Sequence, residues 1–177
     1  MKPIILIFGP SGVGKSTTAE WLVEDYGYLH YNFDFWDGKG IDGQNIKIEK
    51  KNYFSNYDPK PLRLKIDESI NENNGAVITF PSNVIPDIEH IKAGDSYGIK
   101  TVILYSTMEN CIDAFIEREK RINRNLPVTH WHKYNDDIYK TDITKSELAP
   151  YIIEMFKDGR RIDHGSLLKE INKLINL

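Results

Sequence analysis

Apolar residues along this chain come in short blocks whose spacing switches between that of strands and that of helices. Residues 3–8 read PIILIF, a continuous β-rich run of the kind a parallel strand covered on both faces requires. From Ser16 to Tyr26 the apolar positions Ala19, Leu22 and Val23 fall at helical spacing, with Gly27 as the stop. A second strand is expected over 28–33 and a third over AVITF, 76–80. The fourth is KTVILY, 100–105, and the Ser106-Thr107-Met108-Glu109 that follows reads as a capping box opening a long helix to about Arg121. Further helices are expected near 61–73, opened by Pro61, and from near Pro86 to Gly98. The pattern breaks around 122–133 before a helix resumes. PYIIEMF, 150–156, reads as a fifth strand ahead of a last amphipathic helix over 166–176. Between the second strand and Pro61 lies a basic, tyrosine-rich stretch expected as loop. Such alternation predicts one parallel sheet with helices on both faces.

Directly after the first strand comes GPSGVGKS, Gly9 to Ser16, which matches G-x-x-x-x-G-K-[ST] between a strand and a helix. The pattern makes Gly9, Pro10, Ser11, Gly12, Val13 and Gly14 a loop whose backbone N–H groups turn toward phosphates. The helix adds its positive N-terminal end, where Thr17 also sits. Lys15 then reaches the outer phosphates, and the Ser16 hydroxyl is placed for Mg²⁺. A nucleoside triphosphate site is the reading.

With that motif in place, the chain resembles, over nearly its whole length, a P-loop kinase of the nucleoside-monophosphate-kinase and shikimate-kinase kind. The words GPSGVGKST resemble guanylate kinases, yet NFDFWDG, 32–38, lacks the Ser/Thr-Arg-rich segment those enzymes use for their acceptor. The resemblance implies a three-layer α/β/α fold on a five-stranded parallel sheet in the order 2-3-1-4-5, with an arginine-bearing lid at about 118–135. It also implies ATP with Mg²⁺, a small-molecule acceptor (an anionic metabolite, nucleoside or nucleotide) held by about 34–74, and a single domain over 1–177. Asp34 matches by position the acid that touches the acceptor hydroxyl or the metal shell, and Asp37 resembles a second member of that pair. A carboxylate there can orient the acceptor and take its proton. RINRNLP resembles the lid's R-x-x-R-x-x-P form, which makes Arg121 and Arg124 the transfer arginines and Arg118 a phosphate ligand. Arg160, beside Arg161, falls where related kinases wrap the base, and Arg63 is expected to hold an acceptor anion. One departure stands out: the third strand ends AVITFPSN, with Thr79 and Ser82 but no carboxylate, which leaves Asp34 as the acid for acceptor and metal together.

Composition narrows the alternatives. The 177 residues suffice for one well-packed domain, and 40% hydrophobic with 28% charged is ordinary for a globular protein. The net charge is −3, yet residues 38–66 hold seven Lys/Arg against three Asp/Glu and residues 118–133 hold five against one. Two basic islands of +4 in a body of −11 (−3 − 8) suit an anionic ligand between them. A kinase acting on nucleic acid 5′ ends is disfavoured by overall acidity and the lack of a continuous basic stripe. The missing third-strand acid keeps a non-catalytic, ATP-binding regulatory protein as the other alternative. No Asn-Lys-x-Asp occurs for reading guanine, and no ABC signature loop is found. The single cysteine, Cys111, excludes an internal disulfide and reads as a buried structural thiol. MKPIILIF is too short to span a bilayer, so a cytoplasmic protein, monomer or homodimer, is expected. His130-Trp131-His132, taken as loop, lacks a third ligand for zinc, and Trp131 is expected to pack under the lid.

Overall fold

Side chains alternate between the two faces of a strand, and in the first strand both faces are apolar. In this computed structural model, β1 (Ile4–Phe8) is buried at every position. Ile4, Leu6 and Phe8 enter one core, while Ile5 and Ile7 enter the other. Each fully buried Ile or Leu contributes about 1.5–3 kcal/mol relative to exposure, which fixes β1 as the central strand. The structure describes residues 1–34, 40–140, 142–157 and 160–175.

Parallel pairing places β1 between β4 (Gly75–Thr79) and β5 (Ile99–Tyr105). Outside β4 lies β2 (Tyr28–Asn32), and outside β5 lies β6 (Ile152–Glu154). These five strands have the order expected. A two-residue β3 (Ile41–Asp42) adds a sixth at the edge beside β2, giving β3-β2-β4-β1-β5-β6. Beyond it, β7 (Phe156–Lys157) and β8 (Arg160–Arg161) form a small antiparallel pair.

Helices cover both faces. One core packs β1, β2 and β4 against Tyr53 of α2 (Lys47–Asn56), Leu62 and Ile66 of α3 (Lys60–Ser69) and Ile91 of α4 (Ile88–Asp95). The opposite core holds Ala19 and Leu22 of α1 (Lys15–Tyr26) and Cys111 and Phe115 of α5 (Met108–Arg121). Trp131 of α6 (Val128–Lys140) and Leu167 and Ile171 of α7 (His164–Ile175) complete it. This is the three-layer arrangement of α/β/α proteins.

Three expectations need correction. The stretch taken as loop before Pro61 holds α2; its polar residues gave no apolar stripe, and Tyr53 alone is buried on it, donating to the His90 carbonyl at 2.5 Å. His130, Trp131 and His132 lie on α6 rather than in a loop. The cap of α5 is Thr107, not Ser106: its hydroxyl accepts from the Asn110 N–H, while the Ser106 hydroxyl accepts from the Asn110 amide. Among the described residues no helix is long and apolar enough to cross a membrane.

Candidate active site

In a parallel sheet the loops after the strands converge at one edge, where such folds bind ligands. At that edge lie the loop after β1, Asp34 after β2, Phe80 to Asn83 after β4, and the start of α5 after β5. They enclose a cavity of about 490 Å³ lined by Pro10 to Thr17 of the first loop, by Asn32, Asp34 and Thr79, and by Arg118, Arg121 and Arg161. Val13 is the exception within the loop, being fully buried and part of the core instead.

The loop's shape depends on its glycines. Gly12 and Gly14 have φ of +89° and +106°, values costly to any side-chain-bearing residue. A Cβ at Gly12 would strike the Cys111 carbonyl oxygen of α5, which cannot move aside. Gly14 caps α1 without any side-chain hydrogen bond, so the first-turn N–H groups of Lys15, Ser16 and Thr17 face the cavity. This cradle fits a phosphate chain, because it joins a helix N-terminus to the Lys15 and Arg161 cations on the same cavity wall. The Lys15 ammonium is buried and donates to the carbonyls of Gly9 at 2.8 Å and Pro10 at 3.1 Å. Burial lowers its pKa to about 8, with the Asp34 charge acting upward and Arg118 downward. Asp34, itself exposed, therefore sits in electrostatic reach of Lys15.

Asp34 is held from below. Its backbone N–H donates to the Asn32 side-chain oxygen at 2.9 Å, and that oxygen also accepts from the Thr79 hydroxyl at 3.2 Å. The Thr79 proton being so used, its oxygen accepts from His30 Nε2 at 2.9 Å, which assigns that ring nitrogen its proton. Asn32, Thr79 and His30 are all buried. Where the expected third-strand acid is missing, Thr79 thus serves to brace Asp34. Polar residues at the inward positions His30 and Asn32 of a strand were the sequence signal for this network.

Beyond Asp34 a second cavity of about 350 Å³ opens between Pro81, Ser82 and Asn83, the end of α5, and α6. It shares Ser11, Asp34 and Arg118 with the first. Its wall carries Arg124, whose guanidinium donates to both Glu119 oxygens at 2.6 and 2.8 Å. Arg118 donates twice to the same carboxylate, at 3.2 and 3.1 Å. The Arg124 bonds hold the Glu119 carboxyl below its ordinary range despite burial, which acts the other way. α6 is in turn fastened to the first loop at Ser11. The Ser11 N–H donates to the Asn135 side-chain oxygen at 2.7 Å, and Trp131 Nε1 donates to the Ser11 carbonyl at 2.9 Å. Glu119 and Asn135 were not expected. Each stood on an apolar helical stripe, Cys111–Phe115–Glu119 and Trp131–Asn135–Ile138, where a polar residue signals a buried partner.

The expected residues divide as follows. Pro10, Ser11, Gly12, Gly14, Lys15, Ser16, Thr17, Asp34, Arg118 and Arg121 line the first cavity, and Arg124 lines the second. Arg160 lines neither; its neighbour Arg161 does, its guanidinium set against Gly14 and its pKa lowered by burial. Strand alternation in β8 turns two successive arginines to opposite sides. Arg63 lies at the far edge of the sheet, buried, donating to Asp67 and, at 2.7 Å, to the Lys2 carbonyl before β1. It secures the chain there, and an acceptor beside the first loop is out of its reach. Asp37 lies outside the described residues. Trp131 is fully buried, with its Nε1 bonded to the first loop at Ser11.

No protein-family profile matches this chain, and no curated protein sequence does. Solved structures do resemble it. A gluconokinase from Sinorhizobium meliloti 1021 aligns over 99% of this chain and 92% of its own, with a TM-score of 0.53 and 16% identity. Kti12 from Chaetomium thermophilum, solved with ADP-AlF3, aligns over 98% of both chains with a TM-score of 0.52 and 13% identity. An uncharacterized protein from Eubacterium ventriosum ATCC 27560 aligns over 99% of both, at 0.54 and 17%. At such identities the shared property is architecture, and the sheet order and the Gly9–Ser16 loop agree with it. The chain shares its three-layer α/β/α fold with the gluconokinase and Kti12 structures, and carries a P-loop sequence at Gly9–Ser16 within it.

Proposed function

We propose that the protein is an ATP-dependent phosphotransferase that moves the γ-phosphoryl group to a hydroxyl or phosphate of a small metabolite. The observation that carries this reading is the meeting of two cavities at Asp34, with Lys15 and Arg118 alongside. A nucleotide hydrolase needs one ligand site; transfer needs two that share the reacting groups. The loop from Gly9 and the N-terminus of α1 hold the triphosphate, and Lys15 leaves its loop carbonyls to bond the outer phosphates. Magnesium takes oxygen ligands, and the Ser16 hydroxyl with the Asp34 carboxylate fits that donor set; bound there it would neutralise phosphate charge.

Asp34 orients the acceptor hydroxyl and accepts its proton as the oxygen bonds the γ-phosphorus. The bond from that phosphorus to the bridging oxygen breaks, and its electron pair leaves with ADP. Arg121, exposed on the first cavity's wall, is placed to neutralise charge on the transferring group. Asn32, braced by Thr79, holds the Asp34 backbone in place, which preorganises its carboxylate for the acceptor.

The test is ADP release from ATP·Mg²⁺ against pools of nucleosides, nucleotides, sugars and hydroxy acids. One pool should raise turnover well above the acceptor-free rate, and Asp34→Asn should cut that rise by about a hundredfold or more, the usual weight of a general base. Tight ATP binding with no stimulation by any pool would instead favour a non-catalytic nucleotide-binding protein.

A further inference from the structure

The second cavity has a chemistry of its own, and the following rests on the kinase reading just given. Two arginines on its wall suggest an anionic acceptor, but their charge is already spoken for. Arg118 and Arg124 both bond the single carboxylate of Glu119, whose side chain is only 4% exposed. Asp34 supplies a further negative charge on the same wall. Of the described lining, Arg118 and Arg124 stand against Asp34, and Glu119, bonded to both arginines from behind the wall, offsets the remaining positive charge.

What remains is neutral and of two kinds. Ser82 and Asn83, after β4, and His130, on α6, bring hydrogen-bonding groups, while Tyr134 brings an aromatic ring that stays 39% exposed. Rings beside neutral donors and acceptors suit a compact ring bearing several hydroxyls, since its apolar face lies on the aromatic side and its hydroxyls bond the polar side. A volume of about 350 Å³ is at the lower end for ligand sites and suits one ring or two rather than a nucleotide. We propose that this cavity takes an uncharged, polyhydroxylated acceptor, a sugar or a nucleoside, and that Glu119 sets this preference by offsetting, together with Asp34, the charge of the arginine pair.

The experiment compares matched neutral and anionic compounds on the wild-type protein: glucose with gluconate, ribose with ribose 5-phosphate, adenosine with AMP. Binding is read by calorimetry with a non-hydrolysable ATP analogue present, and turnover by ADP release. The neutral member of at least one pair should bind and turn over at least about tenfold better than its anionic counterpart, a difference of about 1.4 kcal/mol. The sugar and adenosine arms separate the two sources. Asn83→Ala and Tyr134→Ala should weaken that binding while leaving affinity for the ATP analogue unchanged. Glu119→Gln, if its circular dichroism stays native, should shift preference toward the anionic member by about the same factor. Preference for the anionic member in the wild type overturns the proposal, as does failure of every neutral member to bind. Binding of a neutral member without any ADP release leaves the cavity's assignment standing and overturns the kinase reading instead.

Discussion

Lys15 illustrates how one residue's environment sets a measurable pH dependence. Buried against the carbonyls of Gly9 and Pro10, it has its pKa lowered to about 8. Phosphates favour the charged form, so nucleotide binding raises that pKa and takes up a proton. Affinity for ATP should therefore fall as pH rises through about 8, by up to about tenfold per unit. Titration of a fluorescent ATP analogue across this range checks it. Lys15→Arg, charged throughout, should flatten the profile; a wild-type profile that is itself flat above pH 8 contradicts the assignment. Arg63 makes the opposite case, a basic residue with a structural task. Arg63→Met strands the Lys2 carbonyl and the Asp67 carboxylate, so urea unfolding should show a loss of about 1–3 kcal/mol. The KM for any acceptor should stay the same. At this scale the sequence was informative where a residue's role is local. The Lys15 loop is a contiguous motif, whereas Arg63 and Asp67 are helix neighbours whose third partner, Lys2, lies 61 positions from Arg63.

Elements carry a different lesson, because α6 acts on the phosphate loop from outside it. Both backbone polar groups of Ser11 bond side chains of α6, and Asn135, 1% exposed, is the acceptor for the Ser11 N–H. Asn135→Ala leaves that N–H unsatisfied and should cost about 1–3 kcal/mol in urea unfolding. The KM for ATP should rise as well, since the loop loses a fixed contact at the junction of the two cavities. Trp131→Phe keeps most of the buried surface and loses one hydrogen bond, so its cost should be smaller, about 1 kcal/mol plus any cavity cost. Equal ATP kinetics in Asn135→Ala and wild type would separate α6 from the loop's function. The parallel sheet was legible in the sequence because buried apolar runs alternate with helices, whereas its strand order was legible only through the resemblance to P-loop kinases. The placement of α6 was not. Periodicity gives a helix's buried face without naming what covers it, so nothing in the sequence set α6 beside residues 81–83 around the second cavity. Similarly, α2 buries a single residue and left no periodic trace.

For the whole molecule, the acidic body of −11 around two basic islands of +4 makes pH the natural variable of stability. Several carboxylates are held below their ordinary values by hydrogen bonds or ion pairs, among them Asp87, Glu119, Asp142 and Glu170. All but Glu119 are solvent-exposed or nearly so, and pairs of that kind contribute little. Glu119 is buried and joins Arg118 to Arg124, so it should dominate the acid limb. Its folded-state pKa lies below the unfolded value near 4.5. The stabilisation is therefore present in full above that value and is lost as pH falls through the folded one. Urea midpoints measured from neutral pH downward should hold level and then drop below about 4.5. Glu119→Gln should start about 1–3 kcal/mol lower at neutral pH. The gap to wild type should then close as pH falls, because the wild-type carboxyl becomes neutral as well. Lys15 gives the alkaline limb a slope of the same sign. An unfolded lysine keeps its proton up to 10.5 while the buried one loses it near 8, so its burial costs least at high pH and stability should rise across that window. Wild type and Lys15→Met should therefore differ most near neutral pH, with the variant the more stable. The charge that makes the loop a phosphate site is held in place at the expense of the fold. A Lys15→Met variant less stable than wild type at neutral pH would mean that its carbonyl contacts outweigh the desolvation of its ammonium.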